Sequence, residues 1–529
     1  MRLFERVGRG KHLEVPATGD DERTVRSGIA RRSGALARRI FAPVDIASLA
    51  YFRIAFGLIM LWEVWRYFNY GWIRVYYMDP VFHFSYYGFG WVQPWPGVGM
   101  YLHFFALGAL ALCIALGMFY RVAAVLFFLG FSYVFLLDQT HYLNHFYFVA
   151  LISLLMIFVP AHRAFSVDAC RRPRIRTDTV PFWAPAILAF QMGVVYFYGG
   201  VAKINADWLR GEPMRMWLAA DSGHPVVGWF FAHPWAGYFF SYGGLFLDLL
   251  IVPFLLCKRT RLAAFAVVTA FHLTNAWMFQ IGIFPWFAIA ATAMFFPPSW
   301  PRRFVNHLRG GQDPATERAS ERPADHGGEP VGAPVGAPVG APGAASGISL
   351  GIIPGAARRG FRGSPRSRRA ALLSLLALFV AVQLLVPLRH FAYPNNVSWT
   401  EEGHRFAWHM KLRSAEGLAS FRITTQDGQV TQLDPADYVG VFLNERQAQK
   451  MAYQPDMILQ FAHALEDNAA SNGYEDVEVR AGAIKSLNGR EPQRLLAPEV
   501  DLTEQTRSLA PADWIIPLKL TNSAGAGSS

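Results

Sequence analysis

Stretches of about 20 apolar residues recur along this chain, and that length crosses a bilayer as one helix. Nine of them fall near 46–67, 99–119, 122–138, 145–162, 181–200, 234–257, 262–280, 283–299 and 370–389. Inside lipid every backbone N–H and C=O must find a partner within the protein, so such a chain reads as a helical bundle. Charged residues make up 16% of the 529, and mean hydropathy is +0.21. A soluble domain holds about 25% charged residues, so that class is excluded. The first 40 residues are basic and polar, without the short apolar core of a cleaved signal peptide.

Lysine and arginine in the flanks set orientation. If the N-terminus is inside, 30 of them fall in inner segments and 5 in outer loops. The inner clusters lie in 1–45, 163–176, 258–261 and 302–369, with Arg121 between the second and third spans. The C-terminal region is therefore expected outside. This asymmetry accounts for the net charge of +11 without a nucleic-acid partner. Cys113, Cys170 and Cys257 make neither a disulfide framework nor a zinc spacing.

Residues 310–360 are of low complexity, with Val331-Gly332-Ala333-Pro334 repeated twice in succession. They carry no face to bury and read as a flexible linker. After residue 390 the composition becomes that of a soluble domain. His404–Leu412 and Leu418–Thr425 alternate as strands do. Asn444–Ala470 reads as one helix, and Asp476–Leu487 as a strand turning at Asn488-Gly489. The expected fold is a polytopic α-helical membrane protein of about nine transmembrane helices with a C-terminal extracytoplasmic β-rich α+β domain. Its expected parts are a basic cytoplasmic tail (1–45), an eight-helix bundle (46–300), a cytoplasmic loop (301–369), a ninth helix (370–389) and the outer domain (390–529).

Four places carry groups able to do chemistry. Lys203 follows an apolar run and sits among Tyr196, Phe197, Tyr198 and Trp208. An apolar setting favours a neutral amine, which is a usable base. Asp207 offers the opposite, an ion pair that keeps the amine charged, and a lysine snorkelling to the interface is the bland reading. Asn144-His145 lies between the third and fourth spans, on the same expected side as Lys203. There Asn144 suits a helix N-cap, and His145 would open the helix as a neutral imidazole. Within the spans, His272 and Asn275 share a helix face, while Arg53 and Asp248 are candidates for a structural pair. The loop from Met78 to Trp91, with Tyr87 and Phe89, offers stacking faces for a flat ring or an interfacial aromatic belt. No phosphate loop, dinucleotide fingerprint or metal motif is present in the sequence.

The segment Tyr196-Phe197-Tyr198-Gly199-Gly200-Val201-Ala202-Lys203-Ile204-Asn205-Ala206-Asp207-Trp208 closely resembles the signature around the essential lysine of vitamin K-dependent gamma-glutamyl carboxylases. Asn144-His145, Phe82–Trp91, Phe271–Asn275, His404–Leu412 and Gln454–His463 also resemble motifs of that family, including its bacterial members. The resemblance runs from about residue 45 to about 500, and it departs from the animal enzymes where Ala202 stands in place of a second lysine. It implies a metal-free enzyme using reduced vitamin K (phylloquinone or menaquinone hydroquinone), O2 and CO2. The partners it implies are a glutamate-containing protein or peptide, a lipid quinone and the membrane. Lys203 then matches the base that deprotonates the quinol, and His145, preceded by Asn144, matches the histidine linked to carboxylation. Tyr198, Trp208, His272, Asn275, Tyr87 and Phe89 become candidates to hold the quinone or substrate. A quinol epoxidase without carboxylation, and a non-catalytic binding or transport protein, are the competing readings. With no organelle address in view, a bacterial inner membrane is the expected location.

Overall fold

A computed structural model describes residues 36–279, 281–309 and 365–520. Most of the expected basic tail, the low-complexity stretch and Gln280 lie outside the described residues. The chain falls into two compact units, Met1–Pro301 with Val386–Ser529, and Arg302–Leu385. The second unit contributes one long apolar helix, Pro365–Leu385.

The first unit opens with helices α1 (Ala47–Asn69), α2 (Gly99–Leu116), α3 (Tyr120–Leu137) and α4 (Asn144–Phe158). It continues with α5 (Trp183–Ala202), α6 (Pro234–Leu256), α7 (Arg261–Phe279) and α8 (Phe284–Thr292). Among the described residues, seven helical segments are long and apolar enough to cross a membrane; α4 and the segment Phe284–Phe295 are apolar but shorter. Each of the nine apolar stretches is thus helical.

Small residues let these helices approach closely, as packing within lipid favours. A Cβ on Gly57 of α1 would stand 2.6 Å from the Ala111 carbonyl oxygen of α2. Gly117, at φ +62°, ends α2 in the left-handed region that glycine enters without strain. A short antiparallel pair, β1 (Pro43–Asp45) with β2 (Thr179–Pro181), ties the start of α1 to the start of α5.

Arg53 does not pair with Asp248 as expected. Fully buried in α1, it donates to the carbonyl oxygens of Ala161 (2.9 Å) and Ala164 (3.3 Å). It therefore fastens the turn that follows α4, where backbone acceptors would otherwise be orphaned.

The C-terminal domain is built on an antiparallel sheet of order β4-β3-β5-β6. The strands are β3 (Ala415–Thr424), β4 (Val430–Leu433), β5 (Glu478–Leu487) and β6 (Gln493–Arg494). β3 and β5 pair along their whole length. Ala419 and Phe421 alternate inward on β3, as Val479, Ala481 and Ala483 do on β5. They meet Ile458, Phe461, Ala462 and Leu465, one face of a helix at the expected spacing. The turn at Asn488-Gly489 has φ +53° and +73°, left-handed conformations that asparagine and glycine adopt readily.

Two expectations for this domain are corrected. Asn444–Ala470 is not one helix but two, α9 (Glu445–Met451) and α10 (Pro455–Ser471). Pro455 lacks an N–H and starts a second helix rather than continuing the first. His404–Leu412 is not a strand but an irregular loop with positive φ at Phe406, Trp408 and Lys411. Burial along it does not alternate, since the consecutive residues Ala407, Trp408 and His409 are all buried.

Bundle and sheet domain share a core. Phe84, from the loop between α1 and α2, is fully buried against the sheet-domain cluster, and Phe82 packs beside it.

Candidate functional site

The local sequence fixes where Lys203 stands. Asn205 closes α5 by donating to the Ala202 carbonyl (2.9 Å) and opens the short helix Ala206–Leu209 by accepting from the Trp208 N–H (3.0 Å). Lys203 sits at the corner between them, as the residue capping α5. Its Nζ donates to Asp248 Oδ2 at 2.6 Å and to the Gly199 carbonyl at 3.1 Å, and lies 5.3 Å from the Trp208 ring centre. Lys203 is 6% exposed and Asp248 4%. The Trp208 ring is itself held, its Nε1 donating to the Ser241 carbonyl at 2.7 Å.

This geometry needs α5 and α6 almost in contact, and two glycines allow it. A Cβ on Gly200 would meet Leu249 Cδ2 at 2.7 Å and the Leu249 backbone nitrogen at 3.0 Å. One on Gly199 would meet Asp248 Oδ2 at 3.2 Å and Met410 Cε at 3.0 Å.

The partner of Lys203 is thus Asp248 and not Asp207. Asp207 instead accepts from Asn488 and Arg490 of the sheet-domain hairpin, both at 2.8 Å, and from Arg210 at 2.7 Å. Burial raises its pKa, but these donors outweigh burial and hold the carboxyl below the usual range.

Around the amine, only Trp208 of the four expected aromatics makes a described contact with it. Tyr198 is buried and meets Phe197 edge-on, whereas Phe197 is half exposed. Tyr196 faces away: its hydroxyl shares hydrogen bonds with His272 Nε2 (2.9 Å) and Thr292 Oγ1 (2.7 Å). His272 is buried, and Asn275 sits half-buried one turn further along α7.

Asn144 is the first residue of α4 rather than its cap; Leu143 holds the cap position. Its side chain is used elsewhere, accepting from the Tyr142 hydroxyl (3.0 Å) and donating to the His409 carbonyl (2.9 Å). His145 lies in the first turn of α4, where the helix dipole favours the neutral ring. It stacks on Phe284 at 5.9 Å, and the same Phe284 meets His272 edge-on at 5.7 Å. Phe284 therefore links the two histidines, while no described contact joins His145 to Lys203. Tyr87 and Phe89 are exposed and do not join the cluster; their neighbour Tyr86 is buried against Phe135 and Phe406.

Sequence reading singled out 404–412 for its resemblance to a family motif but read it as a strand; it is a loop that closes the site. Trp408 is fully buried against Tyr147 (5.0 Å) and Phe148 (6.4 Å) of α4. Leu412 clusters with Ala202, Trp208 and Met214. The loop thus runs from Asn144, by way of the His409 carbonyl, to the corner that holds Lys203. Burial pushes the His409 imidazole down to about 3, with His390 and Arg413 adding to the effect. His141, packed at 4.2 Å on Tyr76, is likewise pushed down to about 4, mainly by burial. Among the described residues no group of His, Cys, Asp and Glu is arranged to hold a metal.

Residues 41–300 match the family model of the HTTM domain. Residues 368–521 match the model described as the vitamin K-dependent gamma-carboxylase lumenal domain. No solved structure matches the chain. The two matches follow the division into helical bundle and sheet domain and together span most of the sequence, so the chain belongs to the vitamin K-dependent gamma-glutamyl carboxylase family.

Proposed function

We propose that this protein couples oxygenation of a reduced naphthoquinone to the carboxylation of peptide glutamate, yielding the quinone 2,3-epoxide and gamma-carboxyglutamate. The observation that carries the reading is the buried Lys203–Asp248 pair beside Trp208. The residues present fit a lipid quinol: an amine, an aromatic ring, and apolar walls from Ala202, Met214 and Leu412. The quinol, with O2, would supply the strong base that the γ-proton of glutamate requires.

Lys203 would take the proton from a quinol hydroxyl. A proton arriving on Nζ meets a carboxylate 2.6 Å away, so the ammonium is stabilised where it forms. The loop 404–412 would keep water from the reactive base. His145 would act in the carboxylation half, as a neutral ring able to hold or move a proton, and Asn144 would position the loop that covers it. His272, Tyr198 and Asn275 would shape the binding cavity, with Tyr87 and Phe89 further out on the aromatic loop.

The lysine and arginine asymmetry supports a cytoplasmic N-terminus and an extracytoplasmic C-terminal domain, in a bacterial inner membrane. The bundle would span 46–300 with a ninth helix at 370–389, joined by a cytoplasmic loop over 301–369.

The test uses purified protein with reduced vitamin K, a glutamate-containing peptide and labelled bicarbonate. Wild type should form epoxide and fix label on peptide. Lys203→Ala should lose both, and His145→Ala should lose label alone. Epoxide without label, across several peptides, would establish a quinol epoxidase instead. Neither product from folded protein would leave a binding or transport role.

A further inference from the structure

The loop 404–412 and helix α9 carry four cations at the end of the bundle that holds the site; Arg405 donates to Gln454 Oε1, which leaves Lys411, Arg446 and Lys450. Lys411 lies over the rings of Trp217 (5.5 Å) and Phe279 (4.9 Å). Arg446 lies 5.7 Å from the Tyr76 ring, and Lys450, one turn along α9, lies 5.5 Å from that of Tyr453. Several neighbouring cations are matched by acids: Arg413 and Lys485 both bond Glu401, and Arg490 bonds Asp207. Among the described residues none of these three has a carboxylate within ion-pair distance. This is the reverse of what the domain's composition leads one to expect. Residues 386–520 hold 13 Lys and Arg against 18 Asp and Glu, so acid is in excess and still does not reach them. Glu445, exposed beside Arg446, is the one acid on α9.

We propose that Arg446, Lys450 and Lys411 form a docking strip for acidic peptide segments, the partner being the glutamate-bearing substrate itself. The inference rests on the reading that such a peptide is the substrate. Geometry gives the strip its direction. α9 packs over the turn Gln139–His141 that precedes Asn144 and His145. Lys411 is flanked by Met410, which abuts Gly199, and by Leu412, which packs with Trp208. Lys411, between these two neighbours, therefore marks the end of the strip nearer to the Lys203 corner. The strip is also held in tension by its own charge: burial lowers the Lys411 ammonium's affinity for its proton, and Lys450 lowers it further. An arriving carboxylate would offset both by its own attraction for the ammonium groups. The aromatic rings beneath keep the ammonium and guanidinium groups in place without neutralising them. Rim charges of this kind act on encounter and selectivity, and they weaken with salt.

The experiment uses the full-length protein in lipid nanodiscs. Binding of a fluorescent glutamate-rich peptide is compared with the same peptide carrying glutamine at every glutamate. Wild type should prefer the acidic peptide by about tenfold or more at low salt, and the preference should shrink as salt rises. Arg446→Gln with Lys450→Gln and Lys411→Gln should abolish the preference. The reversed pair, Arg446→Glu with Lys450→Glu, should gain binding of a lysine-rich peptide, which an unfolded variant cannot do. No preference in wild type, or a preference untouched by these changes, overturns the strip even if label is fixed on peptide. A preference that follows the charges without any label fixed sustains the strip and sinks the carboxylase reading instead.

Discussion

At the scale of single residues, Lys203 and Asp248 form a unit whose members are costly to separate. Removing one partner of a buried ion pair leaves a stranded charge, typically worth about 3–5 kcal/mol. Asp248→Asn and Lys203→Met should each lower the melting temperature of the detergent-purified protein substantially. The double variant should melt above either single one, because it strands no charge. A double variant that loses the sum of the two would mean the pair is not coupled. Both residues stood out in the sequence, Asp248 as an ionisable group within a span and Lys203 as a lysine just beyond one among aromatics. Their pairing did not, because Asp248 lies 45 positions away and only the α5–α6 packing brings it to Lys203. Asp207 was the nearer candidate by position, and the hairpin of the sheet domain had already taken it.

Among elements, the close approach of α5 and α6 is the feature on which the site depends. Gly200→Ala puts a Cβ against the Leu249 backbone, which cannot step aside without moving α6. Gly244→Ala, on α6, brings only ordinary contacts, 3.7 Å to Lys203 Cε and 3.8 Å to Trp208 Cζ2. Epoxide formation should therefore fall at least tenfold in Gly200→Ala and stay within about twofold in Gly244→Ala. Equal losses in both would show that packing at residue 200 is not what sets the corner. The helices themselves were legible, since length and hydropathy suffice where lipid permits little else. The loop 404–412 was not. Its alternating apolar pattern is that of a strand, and positive φ at Phe406, Trp408 and Lys411 leaves no mark in residue type. Tertiary wedging between α4 and α5, not local preference, sets its course.

For the whole molecule, the loop 404–412 and the hairpin at 488–490, both of which touch the bundle, respond differently to acid. Burial holds the His409 imidazole down to about 3, below the value of about 6.5 expected once released. Its contribution to keeping the loop folded is therefore full above about pH 6.5 and declines as the pH falls from there toward 3. Asp207 is held below its free value of about 3.9, so its contribution persists above that pH and is lost only as the pH falls through the depressed value. Amide exchange in 404–412, corrected for intrinsic rates, should accordingly rise between about pH 6.5 and 4.5. Exchange in 488–490 should rise only below about pH 4. The reverse order would mean that the hairpin, not the loop, is the weaker attachment. That the two parts interlock at all was invisible in sequence, because Phe84 reads as one more aromatic in an aromatic-rich loop.

The contact of Met410 with Gly199 has a temporal side as well. A chain emerging from the ribosome delivers Lys203 long before residues 404–412. Until then the corner at Gly199 and Trp208 lacks Met410 and Leu412 as neighbours. On the function proposed above, a chain that stops short of residue 404 would carry Lys203 without its cover, so the chemistry would wait for the C-terminal domain.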